Sequence, residues 1–120
     1  MLLLCLQAGF STLYVPEGLI TQSGINIAIQ HSEALYGPNS CTNHVYTNTP
    51  EIATYITDGS GSAISYTPYF TYMGFRYAQM TGYPGVPDVQ TLTAHFVHTN
   101  YEIVGSVGFS DPVMTQVCTA

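Results

Sequence analysis

The stretch from Gly24 to Gln30 reads Gly-Ile-Asn-Ile-Ala-Ile-Gln, with an isoleucine at every second position. On an extended strand alternate side chains share a face, so Ile25, Ile27 and Ile29 enter one core together. On a helix they would be spread around the axis. The same period carries on to His31, Glu33 and Leu35, so the isoleucine face turns polar at its far end. Thr91–His98 repeats the pattern, with Leu92, Ala94, Phe96 and His98 opposite Thr91, Thr93, His95 and Val97.

Other segments read the same way. Ile52–Thr57 is a strand closed by the turn Asp58–Ser62, and His44–Tyr46 is a short extended piece. Tyr66–Tyr72 alternates, but Pro68 places its start at a sheet edge or in a loop. Gly74 interrupts, as at a bulge or a close backbone approach, before Phe75–Thr81 resumes. Ile103–Phe109 reads as a last strand. Tyr36–Asn43 and Gly82–Asp88 are turn clusters. Short strands divided by turns predict an all-β fold, an antiparallel β-sandwich, over residues 1–109. Residues 110–120 differ. Ser110 or Asp111 can cap a helix and Pro112 suits its first turn, but two turns are not stable alone in water. They read as the start of a helix that continues.

Charge narrows the partners. Seven acids face a single cation, Arg76, and no lysine is present. One guanidinium cannot neutralise a run of phosphates, which excludes nucleic acid as a partner and argues against anionic membranes. A surface so poor in charge is covered by neutral polar groups or by another domain. The apolar run Met1–Leu6 lacks the cationic start and the length of a secretory signal, and it reads as a buried strand cut short. No apolar run reaches the ~20 residues of a membrane span. Cys5, Cys41 and Cys118 show no metal-binding spacing and are expected as thiols, with a Cys5–Cys118 bridge left open.

Candidate chemistry is sparse. Asp58 and Asp88 sit in Gly/Pro turns, and only Glu33 has a suggestive neighbour, His31, on its own strand face. Those two could touch one metal, but a hydrogen-bonded or exposed imidazole is the simpler reading, and neither a metal nor a cofactor is expected. His95 and His98 fall on opposite faces of their strand. No nucleophile elbow, phosphate loop or dinucleotide fingerprint occurs. The richest class is aromatic: Tyr66, Tyr69, Phe70, Tyr72, Phe75, Tyr77 and Tyr83 crowd one stretch. They suit a core and an interdomain contact, or a platform for sugars.

This stretch also carries a resemblance. Pro68, Phe70, Thr71, Tyr72, Gly74, Phe75, Arg76 and Tyr77, followed by Gly82, Pro84 and Gly85, resemble a signature of the α-L-rhamnosidase family. Met73 stands where that pattern has His. His31-Ser-Glu-Ala-Leu35, Ala94–Thr99 and Gly105–Val117 resemble three further family segments, in family order. The resemblance implies a concanavalin-like sandwich that precedes a catalytic (α/α)₆ barrel in an inverting glycoside hydrolase. The catalytic carboxylates belong to that barrel, so no catalytic residue carries over. The chain is expected to be inactive alone, with the barrel as its missing partner and rhamnose-containing glycans as further candidate partners. The structural motif is His31, Glu33, Phe70, Tyr72, Gly74, Phe75, Arg76 and Tyr77, with Glu33 the expected ion-pair partner of Arg76. A stand-alone carbohydrate-binding module and an interaction domain without a sugar role are the competing readings.

Overall fold

The isoleucine strand lies inside the larger of two sheets. The computed structural model of the protein describes residues 2–3, 8–37, 41, 51–102 and 104–119. In chain order the strands are β1 (Leu2–Leu3), β2 (Gly9–Val15), β3 (Ser23–Ser32), β4 (Glu51–Asp58), β5 (Ile64–Tyr66), β6 (Tyr77–Thr81) and β7 (Leu92–Phe96). A helix, α1 (Pro112–Thr119), follows. One sheet has the order β1-β6-β3-β4 and the other β5-β2-β7, and all pairs are antiparallel. The fold is mostly β, as the alternation predicts.

The pleat sorts the side chains. Along β3, Ile27, Ile29 and His31 are buried while Asn26 is exposed. Leu13 and Val15 come from β2, Ala53 from β4, Ala78 from β6 and Phe75 from the segment before β6, and together they form one core with Ile20. Full burial of each large apolar side chain contributes ~1.5–3 kcal/mol. Near the start of β3 the register with β4 slips between Ser23 and Asn26, where Gly24 has φ +81°. Thr57 spans the irregularity: its buried hydroxyl accepts from Ile25 N at 3.0 Å and donates to Gln22 O at 2.8 Å. Gly82 ends β6 with φ +77°, and a Cβ there would lie 2.0 Å from Asn26 O, so no other residue fits that exit.

Three segment readings change. β2 runs through Gly9–Val15, where no strand was expected; its inward positions are Gly9, Ser11, Leu13 and Val15. Tyr66–Tyr72 does not continue as a strand. β5 stops at Tyr66, before Pro68, whose ring nitrogen has no hydrogen to offer a ladder. Residues 104–109 form no strand either: they are exposed, no strand pairs with them, and two of the six are glycines. The helix is as expected. Asp111 caps it through Oδ1, which accepts from Val113 N at 2.8 Å, and the Thr115 side chain accepts from Phe109 N at 2.9 Å. The extended piece His44–Tyr46 and Cys5 lie outside the described residues, as does the side chain of Cys118; Cys41 is a buried free thiol. Among the described residues no helix is long and apolar enough to cross a membrane.

Truncating the core separates inner from outer positions. Ile29→Ala is expected to lose about 2–5 kcal/mol of unfolding free energy in urea titration. Ile56→Ala, at a site 64% exposed, should change it by about 0.5 kcal/mol or less.

Candidate functional site

Two of the motif segments meet at the far end of β3. Tyr77 pairs with Ser32 and Ala78 with His31, and Arg76 N donates to Ser32 O at 2.9 Å. Phe75 is thereby drawn under the sheet, fully buried, with its ring edge-on to the His31 imidazole at 4.6 Å between centroids and 67° between planes. His31 is 2% exposed. Its Nδ1 lies 3.3 Å from Glu51 O, and a carbonyl only accepts, so Nδ1 carries the proton. Nε2 then accepts from the Ser11 hydroxyl at 2.8 Å. Ser11 belongs to β2, in the opposite sheet, so this bond ties the two sheets together through the core. Desolvation holds the His31 pKa below its ordinary value, partly opposed by the Glu51 carbonyl. The arrangement suits a fixed neutral imidazole that clamps the sandwich. Ser11 is not legible as a partner in the sequence, because a polar Ser11 inward and an aromatic Tyr14 outward mask the alternation of β2.

The other motif residues are placed differently. β3 ends at Ser32, so Glu33 leaves the isoleucine face and is exposed. Arg76 is exposed too, and among the described residues no ion pair joins it to Glu33 or to any other carboxylate; its fixed contact is through its backbone. Tyr77 and Gly74 are half-buried. Phe70 and Tyr72 project into solvent with Tyr69, at 108%, 72% and 83% exposure, and Phe70 has φ 60°. Left-handed backbone strains a bulky side chain by ~1–2 kcal/mol. The loop that carries them is pinned on β2 at both ends. Thr67 Oγ1 lies 2.8 Å from Thr12 Oγ1, and Met73 exchanges two backbone hydrogen bonds with Gly9, at 2.7 and 2.9 Å. Met73 also packs against the core, which a thioether does readily.

The remaining titratable groups serve local structure. Asp88 Oδ1 accepts from Gln90 N, Thr91 N and the Thr91 hydroxyl, each at 2.9 Å, and Asp58 Oδ1 accepts from Ser60 N at 2.9 Å. These bonds hold both carboxyls below the usual carboxylate range. His95 stacks on Phe10 and meets the Thr12 hydroxyl at 3.0 Å, and His98 stacks on Phe96. Among the described residues no three His, Cys, Asp or Glu side chains gather closely enough to hold a metal. A cleft of about 340 Å³ opens between Ala78 and Met80 of β6, Leu92 of β7 and the Pro87–Thr91 turn, and its lining is mostly apolar.

The family model for the bacterial alpha-L-rhamnosidase concanavalin-like domain matches residues 9–98. An alpha-L-rhamnosidase of Streptomyces avermitilis is 31% identical over 78 residues, which are 65% of this chain and 8% of that protein. One from Formosa agariphila is 36% identical over 67 residues, 56% of this chain and 7% of that protein. The solved alpha-L-rhamnosidase of Dictyoglumus thermophilum superposes with a TM-score of 0.61 at 33% identity, over 76% of this chain and 10% of that one. The chain thus spans no more than about a tenth of the length of the relatives it matches.

The imidazole clamp has a pH signature. As pH falls below about 6.5 the unfolded chain takes up a proton before buried His31 does. Stability from neutral His31 is therefore complete above that pH and is lost progressively below it. The urea midpoint is expected to drop between about pH 7.5 and about pH 5, and His31→Gln to flatten that drop, while Ile56→Ala, which removes no titratable group, leaves its shape unchanged. Asp58 and Asp88, held low, titrate below this window.

Proposed function

The chain belongs to the family of the bacterial alpha-L-rhamnosidase concanavalin-like domain, and from that premise we propose that it serves as the non-catalytic β-sandwich of an α-L-rhamnosidase. In this role it scaffolds the catalytic (α/α)₆ barrel, which removes terminal α-L-rhamnose from glycosides. The observation that carries the reading is the pairing of extents: the family match fills residues 9–98 of this chain, while the chain answers to a tenth or less of each relative. The side-chain inventory supports it. Hydrolysis of a glycoside by inversion calls for two carboxylates ~6.5–9.5 Å apart across the scissile bond. Here Asp58, Asp88 and Asp111 each commit an oxygen to the backbone of their own turn or cap, and Glu33 is exposed. The motif residues His31, Phe75 and the Arg76 backbone are engaged in joining strands. Their role in this reading is architectural, with the sandwich running from the start of the match to the exit toward α1.

The isolated chain, incubated with an aryl α-L-rhamnoside, is expected to release no more phenol than buffer. Turnover above buffer that Glu33→Gln abolishes would overturn the proposal. Deleting the matching tenth of the Dictyoglumus thermophilum enzyme should lower its Tm and its hydrolysis, and grafting this chain in its place should restore both.

A further inference from the structure

Gly9 organises one end of the sandwich. On one side its backbone pairs with Met73, where the aromatic loop ends; on the other it is the register partner of Phe96, the last residue of β7. A Cβ on Gly9 would lie 2.0 Å from His95 O, so β7 closes on β2 there as tightly as a glycine allows. Beside it Val97 N donates to Ala8 O at 3.0 Å. The aromatic loop and the departure of the chain toward α1 are therefore fixed to the same few residues.

Exposed apolar side chains occur at these anchors and along the chain that leaves them. Tyr69, Phe70 and Tyr72 stand in water on the loop, and Phe96 is 55% exposed at the end of β7. Along the departing chain Tyr101, Val104, Val107, Phe109, Val113 and Met114 are all exposed. No Asp, Glu, Lys or Arg occurs between Asp58 and Arg76, and between Asp88 and Asp111 the only one is Glu102. The four rings alone present on the order of 600 Å². A stable protein interface needs ~800 Å² from each partner, and its centre is rich in aromatics and poor in charge. The family match also stops at residue 98, just where the exposed apolar stretch begins.

We propose that the Gly9 end of the sandwich, with Tyr69–Tyr72 and Phe96, and the exposed segment from Tyr101 to Met114 that follows it in the chain are the surfaces that dock on the adjoining domain of an α-L-rhamnosidase chain. This rests on the reading of the protein as one domain of that longer hydrolase. The partner surface is apolar and nearly uncharged, with depressions for the Phe70 and Tyr72 rings. The left-handed backbone at Phe70 holds its ring outward before docking, so little ordering is left for the encounter.

The test is hydroxyl-radical footprinting of the free 120-residue chain and of the graft in the Dictyoglumus thermophilum enzyme, with hydrolysis followed in parallel. Labelling of Tyr69, Phe70 and Tyr72 is expected to fall several-fold in the graft. Phe70→Asn, which suits left-handed backbone, should lower the Tm of the graft without lowering that of the free chain, and Ile56→Asn on β4 should not single out the graft. Unchanged labelling in an active graft overturns the docking face and leaves the scaffold reading standing. Lost labelling in an inactive graft supports the face and counts against the scaffold role. Unchanged labelling in an inactive graft overturns both. Labelling of the free chain that falls as its concentration rises assigns the face to a second copy and also overturns the proposal.

Discussion

A neutral imidazole between two sheets governs much of this molecule. His31 sits where the apolar face of β3 runs out, and its ring must find one acceptor and one donor or carry an unmet polar group inside the core. The Glu51 carbonyl satisfies Nδ1 from the neighbouring strand, and Ser11 satisfies Nε2 from the opposite sheet. Apolar packing sets the distance between sheets, but the attraction behind it is not directional. A hydrogen bond at 2.8 Å also fixes their offset. Phe75 closes the same spot, and its position in turn sets where Arg76 and Tyr77 meet β3.

What was legible in the residues, and what was not, follows from this layout. β3 and β4 announce themselves because apolar and polar residues alternate along them. β2 hides, since it turns Ser11 inward to reach His31 and Tyr14 outward to solvent, which breaks the alternation at both positions. The motif around Phe75–Tyr77 was readable as a family signature, and its contact with the His31 segment was not, because pairing between residues some 45 apart has no local sign. Glu33 and Arg76 looked complementary by charge, yet β3 ends one residue too early to hold Glu33 on the sheet. The stretch after Tyr101 has the composition of a strand, but a strand needs a partner edge, and residue types alone do not reveal whether one is at hand.

The scarcity of charge takes on a more definite meaning in three dimensions. Arg76, the solitary Lys or Arg of the sequence, contributes its backbone to the sheet, and among the described residues no ion pair joins its guanidinium to a carboxylate. Hydroxyls and amides hold its turns instead, as Asp88 with Thr91 and Thr57 with Gln22 illustrate. Such bonds are little affected by salt, so ionic strength has few levers on the fold.

The position of β2 also bears on the order of events during synthesis. It is the middle strand of its sheet, yet its partners lie far down the chain: Leu13 pairs with Tyr66 on one side and Gly9 with Phe96 on the other. At the ribosome's ~5–20 residues per second, β2 waits several seconds for β5 and on the order of ten seconds in all before β7 emerges to cover its second edge. Loops of that length close slowly, and an unpaired strand with apolar side chains is adhesive meanwhile. The larger sheet, whose β3 and β4 are closer in sequence, can form during that interval and offer β2 a surface to lie on. The smaller sheet is then the last part of the sandwich to be completed.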